Sequence, residues 1–348
     1  MMNKMKKFYN LMNLEQSKMN LLFLMMMMLS TLITLNATSW ISAWMGMEMN
    51  LMSFIPLMMM KNKLFNSSNA MMTYFMVQTS SSCLLLFMIM MNKMEMDFTK
   101  LNLLNMIIQL SLMMKMGAAP THWWVPKIIN MLSWKNCFIM LTWQKLAPIS
   151  LITMTNSSTL IYKSIILSLI IGAILGINQT SIKLIISYSS INHISWLLIS
   201  IMMNISLFYL YFIIYSLSIL MICSLLNNMN INYLNQLYKN YNFNMFSKIL
   251  LMMMFLSMAG IPPMIGFFPK LKILMMMIKN NLIMESLIFI FFSLITLSYY
   301  MYPLLSIMML SKMNSKWMNN KMIYMKYIMF IILINIILSL IIIIIVSM

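Results

Sequence analysis

Long apolar stretches, separated by short polar or charged segments, recur along the chain from Met19 to the C-terminal residues. A transmembrane helix needs about 20 mostly apolar residues to cross a hydrocarbon core of ~30 Å. The pattern therefore predicts an all-α integral membrane protein with about eleven transmembrane helices. The predicted spans are residues 19–37, 40–60, 70–91, 101–119, 136–155, 158–177, 181–203, 206–227, 246–268, 282–309 and 325–347.

Composition supports a lipid environment, because 62% of the 348 residues are hydrophobic and only 8% are charged, whereas soluble domains carry roughly 25% charged residues. The spans leave no room for a soluble domain, so we expect a single membrane domain over residues 1–348. The net charge of +18 comes from lysines scattered among apolar stretches. A nucleic-acid-binding face would cluster its basic residues, so no nucleic-acid partner is expected.

The distribution of lysines predicts the orientation of the chain in the membrane. With eleven spans, fifteen lysines lie on the side of the N-terminus and five on the other, when Lys115, Lys145 and Lys270 are counted as intramembrane. Basic residues accumulate on the inner side, so the N-terminus is expected there and the C-terminus outside. Residues 1–18 lack a signal-peptide cleavage pattern and are expected to remain as an inner-side tail.

One motif occurs twice with the same spacing. Glycine and proline interrupt the hydrogen bonds of a helix, and such interruptions occur at membrane depth only where protein or a wet cavity satisfies the backbone. Two broken helices in two halves of a chain indicate a transporter-like site. The two copies are Gly117-x-x-Pro120-x5-Pro126-Lys127 and Gly260-x-x-Pro263-x5-Pro269-Lys270, with Pro262 beside Pro263 in the second.

Five titratable residues fall inside predicted spans or beside these breaks: Glu48, Lys115, Lys145, His193 and Lys270. An ionised side chain at the centre of a bilayer costs about 2.5–3.5 kcal/mol, so each needs a partner or water. Together they form a candidate proton-transfer chain.

Alternative interpretations stay open for several basic residues. A lysine near the end of a span commonly extends its ammonium group to the membrane surface, which applies to Lys127, Lys183 and in part to Lys270. His193 could be an ordinary hydrogen-bonded interior histidine, and His122 is expected at the membrane interface.

No redox cofactor or metal site is expected within this chain. Its three cysteines are far apart, its 54 methionines are spread over all spans, and it has two histidines. It contains no glycine-rich nucleotide motif and no H-E-x-x-H sequence.

Three functions remain possible at this point: a proton-translocating subunit of a larger redox machine, a free-standing cation/proton antiporter, and a passive scaffold. Aspartate and glutamate total five, and only Glu48 and Glu285 lie in or beside spans. The shortage of acidic residues favours protons over metal cations. A scaffold would have no need for Glu48 and Lys145 at mid-membrane.

Five segments, in order, resemble the NADH dehydrogenase subunit 2 family of mitochondrial respiratory complex I, with a composition like that of insect mitochondrial products. They are Ser39-Trp40-Ile41-x2-Trp44-Met45-Gly46-x-Glu48-x-Asn50; Lys115-x-Gly117-Ala118-Ala119-Pro120-x-His122-x-Trp124-x-Pro126; Leu141-Thr142-Trp143-Gln144-Lys145-x-Ala147-Pro148; Asn178-Gln179-Thr180 with Tyr188-Ser189-Ser190-Ile191-x-His193; and Gly260-Ile261-Pro262-Pro263-x2-Gly266-Phe267-x-Pro269-Lys270.

The resemblance implies an antiporter-like fold with two inverted five-helix repeats, residues 19–155 and 158–309, followed by a final helix at 325–347. It implies that Glu48 and Lys115 form a charge pair, Lys145 is the central proton site, His193 a connecting relay and Lys270 the terminal lysine. Lys127 departs from the family, in which an acidic or polar residue often follows the proline.

The resemblance also implies a function. The chain would be a core membrane-arm subunit of proton-pumping NADH:ubiquinone oxidoreductase in the mitochondrial inner membrane, with its N-terminus in the matrix and its C-terminus in the intermembrane space. FMN, iron–sulfur clusters and ubiquinone would be bound by partner subunits. Expected partners are neighbouring antiporter-like subunits and inner-membrane lipids such as cardiolipin.

Overall fold

A computed structural model describes residues 2–59, 64–94, 98–155, 159–239, 245–262 and 264–309. Within these ranges the chain is helical, and the β-structure there consists of an isolated antiparallel bridge between Ser181 and Tyr233. The prediction of an all-α fold is therefore confirmed. The predicted final helix at 325–347 and Pro263 of the second motif lie outside the described residues.

The chain divides into two compact units, and the first extends to Gly117 and includes Thr121–Ile161. In this unit α1 packs along α2, α2 along α3, and α3 against α4 and α5, while α7 packs against α1, α2 and α4. The helices of the first unit are α1 (Met2–Leu35), α2 (Trp40–Met59), α3 (Leu64–Met94), α4 (Phe98–Met116), α5 (Trp124–Met131), α6 (Trp134–Leu141) and α7 (Trp143–Ile152).

The helix α4 ends at Met116, directly before Gly117, the first glycine of the repeated motif. Gly117 has a φ of +73°, a left-handed conformation that glycine adopts more easily than any other residue. Its N–H still donates to the carbonyl of Met113 at 3.0 Å. The side chains of Trp124 and Val125 occupy the space that a Cβ atom would need. The chain therefore breaks here and resumes as α5, so the predicted span 101–119 ends earlier than expected.

A second interruption in this unit separates α6 from α7 at Thr142 (φ −115°, ψ −68°). The Thr142 hydroxyl donates to the carbonyl of Phe138 at 2.8 Å. The predicted span 136–155 is therefore divided into two helices, α6 and α7. Lys145 consequently lies in the first turn of α7, and its N–H donates to the carbonyl of Thr142 at 3.2 Å.

The second unit contains Ala118–Pro120 and the described residues from Tyr162 onward. Here α9 packs on α10 and α13, α10 also contacts α12 and α13, and α14 contacts α11, α12 and α13. The helices, of which the first begins at the boundary between the units, are α8 (Thr159–Ile174), α9 (Ile182–Met203), α10 (Ile205–Met229), α11 (Leu234–Lys239), α12 (Met245–Ala259), α13 (Phe267–Lys279) and α14 (Ile283–Met309).

The second copy of the motif breaks the chain between α12 and α13. Gly260 has a φ of +81°, and the N–H groups of Gly260 and Ile261 both donate to the carbonyl of Leu256, at 3.0 and 3.4 Å. Gly266 lies against the backbone of Ser257, where a Cβ atom would have no space. The predicted span 246–268 therefore stops at Ala259, and Pro262 lies exposed within the break.

Five helical stretches in the described residues are long and apolar enough to cross a membrane, and the number of about eleven spans stays a prediction. They are Lys18–Leu35, Ser68–Asn92, Ile182–Met203, Ile205–Met229 and Ile283–Leu305. Many large apolar side chains on these helices are exposed, including Leu21, Met72, Phe87 and Phe291. Water-soluble proteins rarely expose apolar surface on this scale, whereas a lipid-facing surface requires it.

The α1–α2 packing depends on Gly46, which lies two residues before Glu48. A Cβ atom at Gly46 would lie 2.5 Å from Cγ2 of Thr34 and 3.0 Å from the carbonyl oxygen of Ser30. Replacement by leucine should destabilise the fold by about 1–3 kcal/mol, because the two helices would be forced apart. The measurement is the thermal midpoint of the solubilised protein, with exposed Met45→Leu as the control. Equal midpoints for the two variants would contradict this packing.

Candidate functional site

Glu48 of α2 and Lys115 of α4 form an ion pair inside the first unit. The Lys115 Nζ lies 3.8 Å from Oε1 of Glu48, with the side chains 5% and 21% exposed respectively. Lys115 is in the last turn of α4, where the negative end of the helix dipole also favours a cation. The structure thus brings together the two residues that the sequence analysis assigned to a charge pair, while their roles remain predictions.

Side chains from neighbouring helices donate hydrogen bonds to backbone carbonyls at the end of α4, beside the break. The Gln78 amide of α3 donates to the carbonyl of Lys115 at 3.2 Å, and the Trp124 indole N–H of α5 donates to that of Met114 at 3.1 Å. The last carbonyls of a helix have no partner within the helix, and in lipid they need one from elsewhere. The break is therefore capped by protein, directly beside the Glu48–Lys115 pair.

Lys145 is 3% exposed and lies on α7, which packs against α1, α2 and α4. Two features interrupt the hydrogen bonds of the helix around it. Thr142 ends α6 on one side, and Pro148 has no N–H to donate to the carbonyl one turn before it. A buried lysine is therefore held where the backbone is locally irregular.

Sequence analysis missed a partly buried pair of amides that are close in sequence to these charges. Asn50 Nδ2 donates to Oε1 of Gln144 at 3.0 Å, and Gln144 Nε2 donates to Oδ1 of Asn50 at 3.1 Å. The Tyr74 hydroxyl donates to the same Oε1 at 3.3 Å. Amides do not titrate, so a search for ionisable residues passed over them. The sequence signal that could have found these amides is their position, since Asn50 follows Glu48 by two residues and Gln144 directly precedes Lys145.

In the second unit, Lys270 caps the other broken helix. Its Nζ donates to the carbonyls of Ala259 at 3.0 Å and Met258 at 3.3 Å. A Cβ atom on Gly260 would lie 3.0 Å from this Nζ. The side chain is 7% exposed, so the ammonium group lies inside the protein, and the alternative that Lys270 extends to the membrane surface was wrong.

The two copies of the motif place their lysines differently. Lys127, which corresponds to Lys270 in the repeat, is exposed, and its Nζ lies 5.1 Å from the centroid of the Trp123 ring. The tryptophan indole caps the first break and the lysine caps the second. The two copies therefore share a glycine with positive φ, and the second copy buries its lysine whereas the first exposes it.

His193 lies buried on α9, and its Nδ1 is 2.7 Å from the Tyr211 hydroxyl of α10. The Tyr211 ring stacks on Trp196, with 6.4 Å between centroids. The Lys270 Nζ lies 5.9 Å from the centroid of that tryptophan. His193 and Lys270 are thus joined through two aromatic residues that the sequence analysis did not single out.

Comparison with known proteins assigns this arrangement to a family. The family model described as "NADH:quinone oxidoreductase/Mrp antiporter, TM" matches residues 37–296. NADH-ubiquinone oxidoreductase chain 2 of Anopheles gambiae is 39% identical over 311 residues, which cover 87% of this chain and 91% of the relative. The chain belongs to the NADH-ubiquinone oxidoreductase chain 2 family. The same protein of Locusta migratoria is 34% identical over 309 residues, covering 87% and 90% of the two chains.

Solved structures show that this chain shares its fold with other membrane proteins. A chain of respiratory complex I from Thermus thermophilus superposes with a TM-score of 0.81 at 15% identity, covering 92% of this chain and 78% of the other. A chain of the Mrp complex from Dietzia gives a TM-score of 0.70 at 15% identity, covering 81% and 59%. The antiporter-like fold is thus shared, and the family predicted from the sequence motifs is confirmed.

The Asn50–Gln144 pair predicts a non-additive effect on stability. Asn50→Leu or Gln144→Leu alone should cost about 1–3 kcal/mol, because each removes the amide partner of a side chain that is partly or fully buried. The double leucine variant should cost clearly less than the sum. The measurement is the thermal midpoint of the protein in its native assembly. Strictly additive losses would show that the two amides do not depend on each other.

The two motif lysines, Lys127 and Lys270, should differ in how much their replacement lowers stability. Lys270→Met should destabilise the second unit by about 1–3 kcal/mol, since it leaves the last carbonyls of α12 without a donor. The corresponding Lys127→Met variant should change stability by less than about 0.5 kcal/mol, because that lysine is on the surface. The thermal midpoint of the purified assembly measures the stability of both variants. A larger loss of stability for Lys127→Met than for Lys270→Met would contradict this prediction.

Proposed function

We propose that this chain is a core membrane-arm subunit of the proton-pumping NADH:ubiquinone oxidoreductase and helps to move protons across the membrane as electrons pass from NADH to ubiquinone. The observation that carries the proposal is a set of one acidic and two buried basic side chains beside broken helices. The Glu48–Lys115 pair and Lys145 lie within one packed group of helices. The near full-length relatives named NADH-ubiquinone oxidoreductase chain 2 support the same assignment.

The physical basis is the dependence of a buried ion on its partner. A nearby opposite charge favours the charged form of a side chain, and burial disfavours it. If a movement in a neighbouring subunit separates Glu48 from Lys115, the stabilising effect of the opposite charge is lost while burial remains. One of the two side chains then gains or loses a proton. We propose that this change is passed to Lys145 in the first unit, and that His193 and Lys270 act as relay and terminal site in the second.

The finer architecture also belongs to this proposal. We propose eleven spans, with inverted five-helix repeats at residues 19–155 and 158–309, supported by two broken helices of the same glycine-initiated form. The excess of lysines on one side supports an N-terminus in the matrix and a C-terminus in the intermembrane space of the inner mitochondrial membrane.

In this proposal the redox chemistry takes place in other chains. FMN, iron–sulfur clusters and ubiquinone are held by partner subunits, and this chain binds none of them. Neighbouring antiporter-like subunits and lipids such as cardiolipin are its proposed contacts. The likeness to subunits of respiratory complex I supports membrane-arm partners.

The competing function is a free-standing cation/proton antiporter. The first experiment is to solubilise the native membrane gently, isolate the assembly that contains this chain, and measure inhibitor-sensitive NADH:ubiquinone activity. Co-migration with that activity supports the subunit function. Migration of the chain alone, with cation/proton exchange activity after reconstitution, would support the antiporter.

Lys145→Met tests the central proton site. We expect coupled proton pumping in reconstituted vesicles to fall by about tenfold or more, since loss of a positioned proton-transfer group typically costs ~10²–10⁴-fold. The amount of assembled complex should not change, because methionine fills a similar volume. The control is Lys135→Met, which removes an exposed lysine of α6. Normal pumping by Lys145→Met would refute a central role for this residue.

A further inference from the structure

Two polar residues of α2 bind to two different helices of the first unit. Glu48 pairs with Lys115 of α4, and Asn50 exchanges two hydrogen bonds with Gln144 of α7. Successive residues of an α-helix are turned by about 100°, so a separation of two positions places Glu48 and Asn50 on nearly opposite sides of α2. Helix α2 therefore reaches the charge pair with one face and the start of α7 with the other.

Helix α3 makes a second connection between the same two places. The Tyr74 hydroxyl donates to Oε1 of Gln144 at 3.3 Å, and Gln78 Nε2 donates to the backbone carbonyl of Lys115 at 3.2 Å. Tyr74 and Gln78 are four residues apart, so they lie on the same face of α3, and both are buried. Side chains thus join α4, α2, α7 and α3 into a closed polar ring. The polar ring consists of Glu48, Asn50, Tyr74, Gln78, Lys115 and Gln144.

The turn of α7 that carries Lys145 has an irregular backbone at both ends. It begins at the interruption at Thr142, and Pro148 provides no N–H for the carbonyl of Gln144. Its own helical hydrogen bonds therefore hold this turn less firmly than they hold the middle of an uninterrupted helix. Contacts from other helices matter more for its position.

Gln144 supplies such contacts for this turn. Its amide binds Asn50 of α2 and Tyr74 of α3, and its Nε2 lies 3.5 Å from Sδ of Met27 on α1. Lys145 directly follows Gln144 in the chain, so the backbone of the lysine moves with the residue that these helices hold. The position of Lys145 is therefore linked to that of α2 and α3.

Packing alone does not require amides at positions 50 and 144. An apolar pair of the same shape can be as stable as a hydrogen-bonded pair, because no polar group then needs a partner. Two reciprocal hydrogen bonds, however, fix both the distance and the relative orientation of the two side chains, which an apolar contact does not. The Asn50–Gln144 pair is therefore suited to transmitting a displacement from α2 to α7.

We propose that the polar ring is a positioning device that couples the geometry of the Glu48–Lys115 pair to the position of Lys145. This inference rests on the proposed function and names the residues that carry its coupling step. A rigid helix cannot move Glu48 without moving Asn50, so a displacement of α2 that opens the charge pair also shifts Gln144 and the lysine after it. Helix α3 contacts both ends and is the reference against which α2 moves. The amides position Lys145 and do not carry the proton themselves.

The test compares two double variants in the intact complex. Asn50→Leu with Gln144→Leu removes both amides and leaves an apolar pair, whereas Asn50→Gln with Gln144→Asn exchanges the amides and keeps their combined length. We expect proton pumping per assembled complex to fall by on the order of tenfold in the double leucine variant, because a small displacement of a reacting group is costly. The exchange variant should keep most of its pumping. The control is Met52→Leu, at an exposed position of α2.

The thermal midpoint of each variant separates positioning from packing. If the amides only stabilise the fold, the loss of pumping should follow the loss of stability across the single, double and exchange variants. If they position Lys145, the double leucine variant should pump as poorly as either single variant, although its stability cost is less than the sum of theirs. Pumping that simply follows the midpoint would overturn the proposal, as would an exchange variant that pumps no better than the double leucine variant.

Tyr74→Phe tests the α3 side of the polar ring and decides if the amide variants do not assemble. It keeps a ring that packs on Phe54, with 5.3 Å between centroids, and removes the hydroxyl contact with Gln144. We expect pumping to fall less than in the double leucine variant, with a normal amount of assembled complex. The matched control is Tyr209→Phe, which alters an exposed tyrosine of α10. Equal pumping by Tyr74→Phe and this control would refute the polar ring.

The Lys145→Met variant separates this inference from the proposed function. Impaired pumping in Lys145→Met with normal pumping in the double leucine variant would refute the positioning role and keep the function. Normal pumping in Lys145→Met would refute the function, and the positioning role with it. Impaired pumping in both variants, with recovery in the amide exchange variant, is the expected result.

Discussion

The need to satisfy backbone polar groups inside the membrane governs this structure. Lipid offers neither donors nor acceptors, so each interruption of a helix must be completed by side chains or water. The broken helices α4 and α12 each meet this need with a donor that reaches back to the last carbonyls, from Trp124 in one case and Lys270 in the other. The breaks therefore draw polar groups to places where the rest of the fold is apolar.

That constraint explains why charge lies next to the breaks. Lys115 is at the end of α4 and pairs with Glu48, while Lys270 is both a cap and a buried cation. A cap that is also titratable links backbone structure to protonation, because a neutral amine donates a weaker hydrogen bond to a carbonyl than an ammonium group does. Trp124 has no such link. The two breaks therefore differ chemically, although their glycines adopt similar backbone conformations.

The sequence alone predicted much of this arrangement, and its failures have physical causes. Hydropathy predicted the all-α membrane fold, and paired glycines predicted the breaks at Gly117 and Gly260. The interruption at Thr142 was missed because threonine, unlike glycine or proline, carries no strong signal for ending a helix. Lys127 and Lys270 occupy the same place in the repeat, so spacing could not show that only the second is buried. The Asn50–Gln144 pair depends on contact between distant segments, which no local pattern reveals.

Neutral polar side chains surround the titratable residues in both units. Lys145 is held on a helix whose neighbour Gln144 is fixed by Asn50 and Tyr74. His193 is fixed by Tyr211, and the surrounding serines and tyrosines supply further hydroxyl groups. A proton that moves through the bilayer needs donors and acceptors at every step, whereas a fixed charge is needed at only a few. The neutral polar groups therefore fix the surroundings of the titratable residues, and they differ between units: amides beside Lys145, hydroxyl groups beside His193.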